Sequence, residues 1–297
     1  MSGVISPSEW RWREMGEMTV ETRERVYRAA PALLGLAIIV SVVVIALWPS
    51  FASMASMWTL SSYGHGYAIL GVTAALIWRD RHALARQPWC GSYVGLASSA
   101  LVVLLWSVAR ATDVRSVEYF AAMMMINAAV WSVLGGVAYR PLLFPLAFLV
   151  LAVPAGDSLI PFLMRITADV SVGGLRSLGV PVLREGMVVT LPHGTFEIAD
   201  VCSGFRYLNA GFALGVLIAF EMLKGALLRC SYVALVVLVF ILTNGVRAFV
   251  VMLVASATHM QVLAGRDHIY FGWFLFLVAM LAMYWLAGRL SKRNRTG

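Results

Sequence analysis

CSYVALVVLVFILTNGVRAFVVML, residues 230–253, is an apolar run of membrane-spanning length, broken in its second half by Thr243-Asn244-Gly245-Val246-Arg247. A hydrocarbon core about 30 Å thick takes about 20 helical residues to cross, so the stretch reads as a transmembrane helix carrying a polar notch. Outward from it, further apolar runs occupy residues 31–50, 66–78 (extended back toward Met54), 91–109, 120–138, 141–153, 204–221 and 270–287. Hydrophobic residues make up 61% of the 297 and charged residues only 13%, which excludes an ordinary soluble enzyme. The expected fold is an all-α polytopic membrane protein of about eight transmembrane helices, the fifth short enough to tilt or distort.

Basic residues orient this stack. With the N-terminus inside, Arg11, Arg13, Arg23, Arg25, Arg28, Arg79, Arg81, Arg86, Arg140, Lys224, Arg229, Arg289, Lys292, Arg293 and Arg295 all face the cytoplasm. The minority on the other side, among them Arg110, Arg165, Arg206, Arg247 and Arg266, sit in outer loops or near outer helix ends. The bias places both termini in the cytoplasm and accounts for the net charge of +8 without nucleic-acid binding. Residues 1–30 form a cytoplasmic tail or short surface helix, residues 31–288 a single membrane domain, and residues 289–297 a basic cytoplasmic tail. The run at 31–50 is read as a retained helix, because it follows a long polar leader and lacks a cleavage pattern. This topology leaves Cys202 alone on the outer side, with Cys90 and Cys230 at cytoplasmic helix ends, so neither a disulfide nor a metal cage is expected.

The segment 154–200 interrupts the spans on the outer face. Its first half carries Arg165, Asp169 and Arg176 at helical intervals among apolar residues, as an interfacial or re-entrant helix would. In its second half, residues 187–191 and 196–198 are strand-prone around Pro192-His193-Gly194-Thr195, and read as a small β-hairpin feeding the next helix.

That next helix opens on Ala199-Asp200-Val201-Cys202-Ser203-Gly204-Phe205-Arg206. Asp200 is suited to cap a helix starting near Val201, which would set Cys202 in the first turn, where free amides favour a thiolate. Arg206, four residues on, would share its face. Asn244 and Arg247 lie three apart in the notch of the 230–253 span, and a guanidinium there is costly unless it faces water, an acid, a substrate or developing negative charge. His268, beside Asp267 at the outer start of the last span, can exchange a proton near neutral pH. Each residue has an ordinary alternative when taken alone: a buried inert thiol, a snorkelling arginine, an interfacial histidine. Their joint position at outer helix ends favours chemistry. His65, in Ser61-Ser62-Tyr63-Gly64-His65-Gly66-Tyr67, shares that boundary and is a candidate substrate contact; His193 and His259 rank lower, and His82 is cytoplasmic.

Several motifs resemble the exosortase/archaeosortase family of integral-membrane cysteine transpeptidases, especially the bacterial subtype associated with exopolysaccharide clusters. They are Cys202-Ser203-Gly204-Phe205-Arg206-Tyr207-Leu208, Asn244-Gly245-Val246-Arg247-Ala248 and Gly265-Arg266-Asp267-His268-Ile269-Tyr270-Phe271-Gly272-Trp273, in that order. The resemblance also takes in Phe144-Pro145, Val153-Pro154, Gly179-Val180-Pro181 and Gly194-Thr195-Phe196-Glu197, and covers about residues 54–286. At Ser62-Tyr63-Gly64-His65-Gly66-Tyr67 the chain departs from the family pattern by a Tyr-Gly inserted between serine and histidine.

The resemblance implies cleavage of a C-terminal sorting signal of Pro-Glu-Pro type on exported, membrane-anchored proteins. Cys202 would be the nucleophile, Arg247 the stabiliser of negative charge and His268 the proton donor to the leaving amine. Arg206, Asn244, His65 and Asp267 would contact or position the substrate. The product would pass through a thioacyl enzyme to an envelope lipid or glycan acceptor, with membrane lipids as surroundings, no cofactor, and the site on the outer side of a bacterial inner membrane. The competing classes are a transporter or channel for an anionic lipid-linked envelope intermediate, in which the arginines and His268 bind a head group, and a scaffold for polysaccharide machinery.

Overall fold

A computed structural model describes residues 30–60, 62–259, 261–262 and 267–293. Most of the N-terminal tail, Gly265-Arg266 and residues 294–297 lie outside these. The protein is an all-α polytopic membrane protein. Among the described residues, six helical stretches are long and apolar enough to cross a membrane, or seven if the bent pair at the start is one span. The count of eight expected from hydropathy is not confirmed by these stretches. Packing divides the chain into two compact units, Met1–Pro154 and Ala155–Gly297.

In the first unit, helix α1 (Ala30–Ala46) meets α2 (Trp48–Leu60) at 91°, so the run at 31–50 is not one straight span. Pro49 has no N–H to continue the ladder of α1, but is well tolerated in the first turn of α2. Helix α3 (His65–Ala85) begins after the Tyr63-Gly64 turn. Its end carries Arg79, Asp80 and Arg81, and it falls outside the six apolar candidates. The expected span reaching back to Met54 is thus divided between α2 and α3.

Helix α4 (Tyr93–Ala111) is capped by Ser92, whose hydroxyl accepts the Gly95 N–H at 3.0 Å. It lies against α5 (Arg115–Tyr139) at very close range. A Cβ on Gly95 would stand 2.6 Å from the backbone nitrogen of Ser132, and the Ser99 and Ser132 hydroxyls meet at 2.9 Å. Helix α5 kinks at Gly135 (φ 77°, ψ 168°) and continues through short 3-10 turns and α6 (Leu143–Leu149) to Ala152. Residues expected as two spans, 120–138 and 141–153, are consequently one kinked apolar stretch, Arg115–Ala152. Asn127 ties its halves together, donating to the Leu146 carbonyl at 3.2 Å and accepting from the Tyr139 hydroxyl at 3.1 Å.

The second unit opens with α7 (Ile160–Ser177). The stretch Asp157–Ser177 meets the length and hydropathy expected of a crossing, where the sequence suggested an interfacial or re-entrant helix. Leu163, Thr167, Ala168, Ser171, Val172 and Leu175 form its buried stripe, while Arg165, Asp169 and Arg176 face outward. Beyond it, β1 (Leu183–Glu185), β2 (Val188–Leu191) and β3 (Gly194–Glu197) form an antiparallel sheet in that order. The hairpin is present with Pro192-His193 at its tip, since Leu191 pairs with Gly194. A third strand adds to it: Gly186, at φ 64°, turns β1 into β2. Val189, Leu191 and Ile198 point from this segment into an apolar cluster with Ala168, Val172 and Leu175 of α7. Arg184 is ion-paired with Asp169 and donates to the Gly186 carbonyl, which fastens the sheet to that helix.

Helices α8 (Phe205–Met222), α9 (Ala226–Ala257) and α10 (Asp267–Arg293) complete the unit around Ile218, Tyr232, Val236, Phe240 and Met283. Small residues admit large ones where α7 crosses α9: a Cβ on Gly174 would meet the Phe249 ring at 2.7 Å, and one on Gly245 would meet Val170 at 2.6 Å.

Helix contact of this closeness makes a specific forecast. Gly95→Ala forces α4 off the backbone of α5 and should cost about 1–3 kcal/mol, read as a lower Tm of the detergent-solubilised protein. Gly71→Ala, where no atom lies within 4 Å of the new methyl, should leave Tm unchanged or raise it slightly. Equal Tm values for the two variants would contradict the close approach.

Candidate active site

Cys202 stands in a single 3-10 turn, Asp200–Cys202, and not in the first turn of the long helix. Its N–H donates to the Ala199 carbonyl at 2.8 Å. Gly204 then takes a left-handed conformation, φ 78°, and α8 starts at Phe205, whose N–H donates to the Ser203 hydroxyl at 3.2 Å. Two expectations are corrected here. Asp200 makes no capping bond to α8, and the Gly204 reversal removes the helical i,i+4 relation between Cys202 and Arg206. Arg206 is exposed at the start of α8 and has no hydrogen bond or ion pair among the described residues.

The reversal has a tertiary cause. A Cβ at Gly204 would lie 2.4 Å from the Asn244 side-chain carbonyl carbon, so only glycine lets the Cys202 turn settle against α9. Asn244, 5% exposed, uses its amide fully. Its Nδ2 donates to the Cys202 carbonyl at 2.9 Å and to the Thr167 hydroxyl at 2.9 Å, while its Oδ1 faces Nη1 of Arg247 at 3.4 Å.

Arg247 is 9% exposed, and among the described residues no carboxylate lies within ion-pair distance of it. Its guanidinium lies over the Tyr207 ring, 5.5 Å from the centroid, and Nε is buried without an acceptor. Gly272 of α10 permits this close approach, since a Cβ there would stand 2.9 Å from Nε and 2.6 Å from the Tyr207 hydroxyl.

Cys202, Arg247 and His268 line one cavity of about 60 Å³, together with Phe196 and Glu197 of β3, Ile198 just after it, and Ala248, Val251 and Met252 of α9. That is room for about two waters. His268 is partly buried at the first turn of α10, whereas neighbouring Asp267 is exposed. The three residues singled out as a nucleophile, a charge stabiliser and a proton carrier are therefore neighbours around one space. His65 belongs to the first unit, where it bonds to the Leu151 backbone and its Nδ1 is buried without a partner. His193 and His259 meet edge to face, 4.3 Å between centroids, at the hairpin tip and the end of α9.

Thr167, Tyr207 and Glu197 were not among the expected site residues. Thr167 sits in a segment that reads as a surface helix, Tyr207 follows the cysteine motif as an ordinary helix aromatic, and Glu197 alternates within a strand. No sequence spacing links any of them to Arg247.

The family model for transmembrane exosortases matches residues 57–285, most of the chain and parts of both units. No curated protein and no solved structure matches it.

The Gly204 turn yields a direct test. Gly204→Ala combines a left-handed φ with a methyl inside the Asn244 side chain and should destabilise by about 2–4 kcal/mol. The thermal midpoint in detergent should fall by several degrees; a midpoint within about 1 °C of the parent would count against the packing of this turn on Asn244.

Proposed function

The chain belongs to the transmembrane exosortase family, and on that premise we propose that it is a cysteine transpeptidase acting on exported proteins that carry a C-terminal sorting signal of Pro-Glu-Pro type. The observation that carries this reading is the Arg247 guanidinium, which lines the same cavity as Cys202 and His268, has no carboxylate partner among the described residues and carries a buried Nε without an acceptor. An unpaired buried donor costs a few kcal/mol, about 1–3 from mutational series, and a site keeps such a group where a negative charge arrives to use it.

In the proposed reaction, Sγ of Cys202 attacks the scissile carbonyl as a thiolate, forming the S–C bond. Arg247 stabilises the thiolate and then the oxyanion of the tetrahedral intermediate. The C–N bond breaks as His268 gives a proton to the departing amine, leaving a thioester on Cys202. An acceptor nucleophile from an envelope lipid or glycan then attacks the thioester, its proton passing to His268, and the thiolate is released. Arg206, exposed at the start of α8, and Asp267, exposed beside His268, are assigned to the substrate backbone and flanking residues. Asn244 holds Arg247 and the Cys202 turn; His65 is assigned a substrate-side role in the first unit.

The protein is assigned to a bacterial inner membrane with both termini cytoplasmic, which puts the Cys202 cavity on the periplasmic side. A helix-anchored substrate then presents its motif to the site while its basic tail stays in the cytoplasm. This orientation rests on the basic-residue bias.

Co-expression with a membrane-anchored substrate bearing the signal should give a shortened product with the parent and none with Cys202→Ala at matched abundance. Arg247→Lys keeps the charge but removes the Nε donor and should slow processing about 10²–10³-fold. Full processing by Cys202→Ala sinks the nucleophile assignment, and intact-cell labelling of Cys202 from the cytoplasm only sinks the orientation.

A further inference from the structure

The Asn244 amide has to face one way for the site to exist, and a residue on another helix takes part in setting which way. We propose that Thr167 of α7 is a positioning residue whose hydroxyl, by accepting from Asn244 Nδ2, anchors to α7 the amide that also holds the Cys202 turn and the Arg247 guanidinium. This rests on the transpeptidase reading for its consequence, but not for its geometry.

The proton of the Thr167 hydroxyl is already committed. Oγ1 donates to the Leu163 carbonyl, four residues back in α7, at 2.8 Å. Oγ1 can therefore meet Asn244 only as an acceptor, which draws the NH2 side of the amide toward α7. The second NH2 hydrogen reaches the Cys202 carbonyl at 2.9 Å, and the amide oxygen is left toward Arg247 Nη1. Reversing the amide would set its oxygen against two acceptors, the committed Thr167 hydroxyl and the Cys202 carbonyl, and its NH2 against a guanidinium. Three contacts would turn repulsive at once.

Thr167 is 2% exposed and Asn244 5%, so water does not substitute for a lost partner. The surrounding backbone reinforces the placement: Ser171 donates to the Thr167 carbonyl at 2.7 Å, and a Cβ on Gly245, next to Asn244, would strike Val170 of α7. Helix α7 thus meets α9 at a fixed distance where the amide is held. Thr167 touches no reacting atom; it acts through Asn244 on the guanidinium and on the cysteine turn.

Thr167→Val matches the volume and removes both the acceptor and the proton, whereas Thr167→Ser restores them. In protein carrying Cys90→Ser and Cys230→Ser, both at exposed positions, alkylation by iodoacetamide reports on Cys202 alone. Thr167→Val should slow Cys202 alkylation at neutral pH about tenfold, because the Cys202 turn and the Arg247 guanidinium lose the amide that holds both beside the cavity. Thr167→Ser should stay within about threefold of the parent. On the membrane-anchored substrate, the valine variant should lose kcat by a similar factor with KM little changed.

Two outcomes overturn the proposal: a Thr167→Val alkylation rate that matches the parent, or equal slowing in Thr167→Val and Thr167→Ser, which would make the effect one of packing. Should the valine variant fail to accumulate in the membrane, Thr167→Ala enters the same comparison with serine. The alkylation measurement needs no substrate. It therefore decides the role of Thr167 even if Cys202→Ala still processes substrate and the transpeptidase reading falls.

Discussion

A guanidinium inside an apolar helix bundle is the constraint around which the second unit is arranged. Arg247 cannot be desolvated without compensation. What it receives is partial: one long contact to Asn244, an aromatic face from Tyr207, and no carboxylate among the described residues. A full ion pair would have satisfied the charge and spent it. Partial compensation leaves the charge without a carboxylate partner among the described residues, on a side chain that lines the cavity of Cys202 and His268.

The fit around that charge depends on absent side chains as much as on present ones. Gly204 lets the cysteine turn rest on Asn244, Gly245 lets α9 meet α7, and Gly272 lets α10 approach Arg247 and Tyr207. Each lies beside one of the polar residues it accommodates. Lipid supplies little hydrophobic force between helices, so close backbone approach and interhelical hydrogen bonds must hold the arrangement. The sheet closes the cavity from another direction. Phe196, Glu197 and Ile198 reach it from a segment tied to α7 by the Arg184–Asp169 pair, so the strand that bounds the cavity and the helix that orients Asn244 are mechanically linked. A cavity of about 60 Å³ has room for a small group.

Much of this was legible in the residues. Apolar runs longer than 18 residues announce membrane helices because backbone polar groups in hydrocarbon must be satisfied within the segment. Alternation around Pro192-His193 announced the hairpin, though not β1, whose three residues carry too few apolar positions to show a period. The weak points were breaks. Pro49 bends the first run and Gly135 kinks the fourth into the fifth without interrupting the apolar pattern, so hydropathy counts spans there that the backbone arranges differently. Gly204 reversed a local argument outright: spacing put Cys202 and Arg206 on one helical face, and a left-handed glycine between them does not.

By itself the sequence determined the membrane class, the location of the apolar runs and the chemical types present: the Cys202 thiol, a notch with Asn244 and Arg247, and a histidine beside an acid. These follow from composition and local periodicity, which need no partner. Only the tertiary structure decided that these residues share a cavity, that Asn244 joins three segments, and that Thr167 accepts from its amide. Those are relations between residues as much as 77 positions apart, set by which backbones can touch and which hydrogen-bond donors remain free once they do.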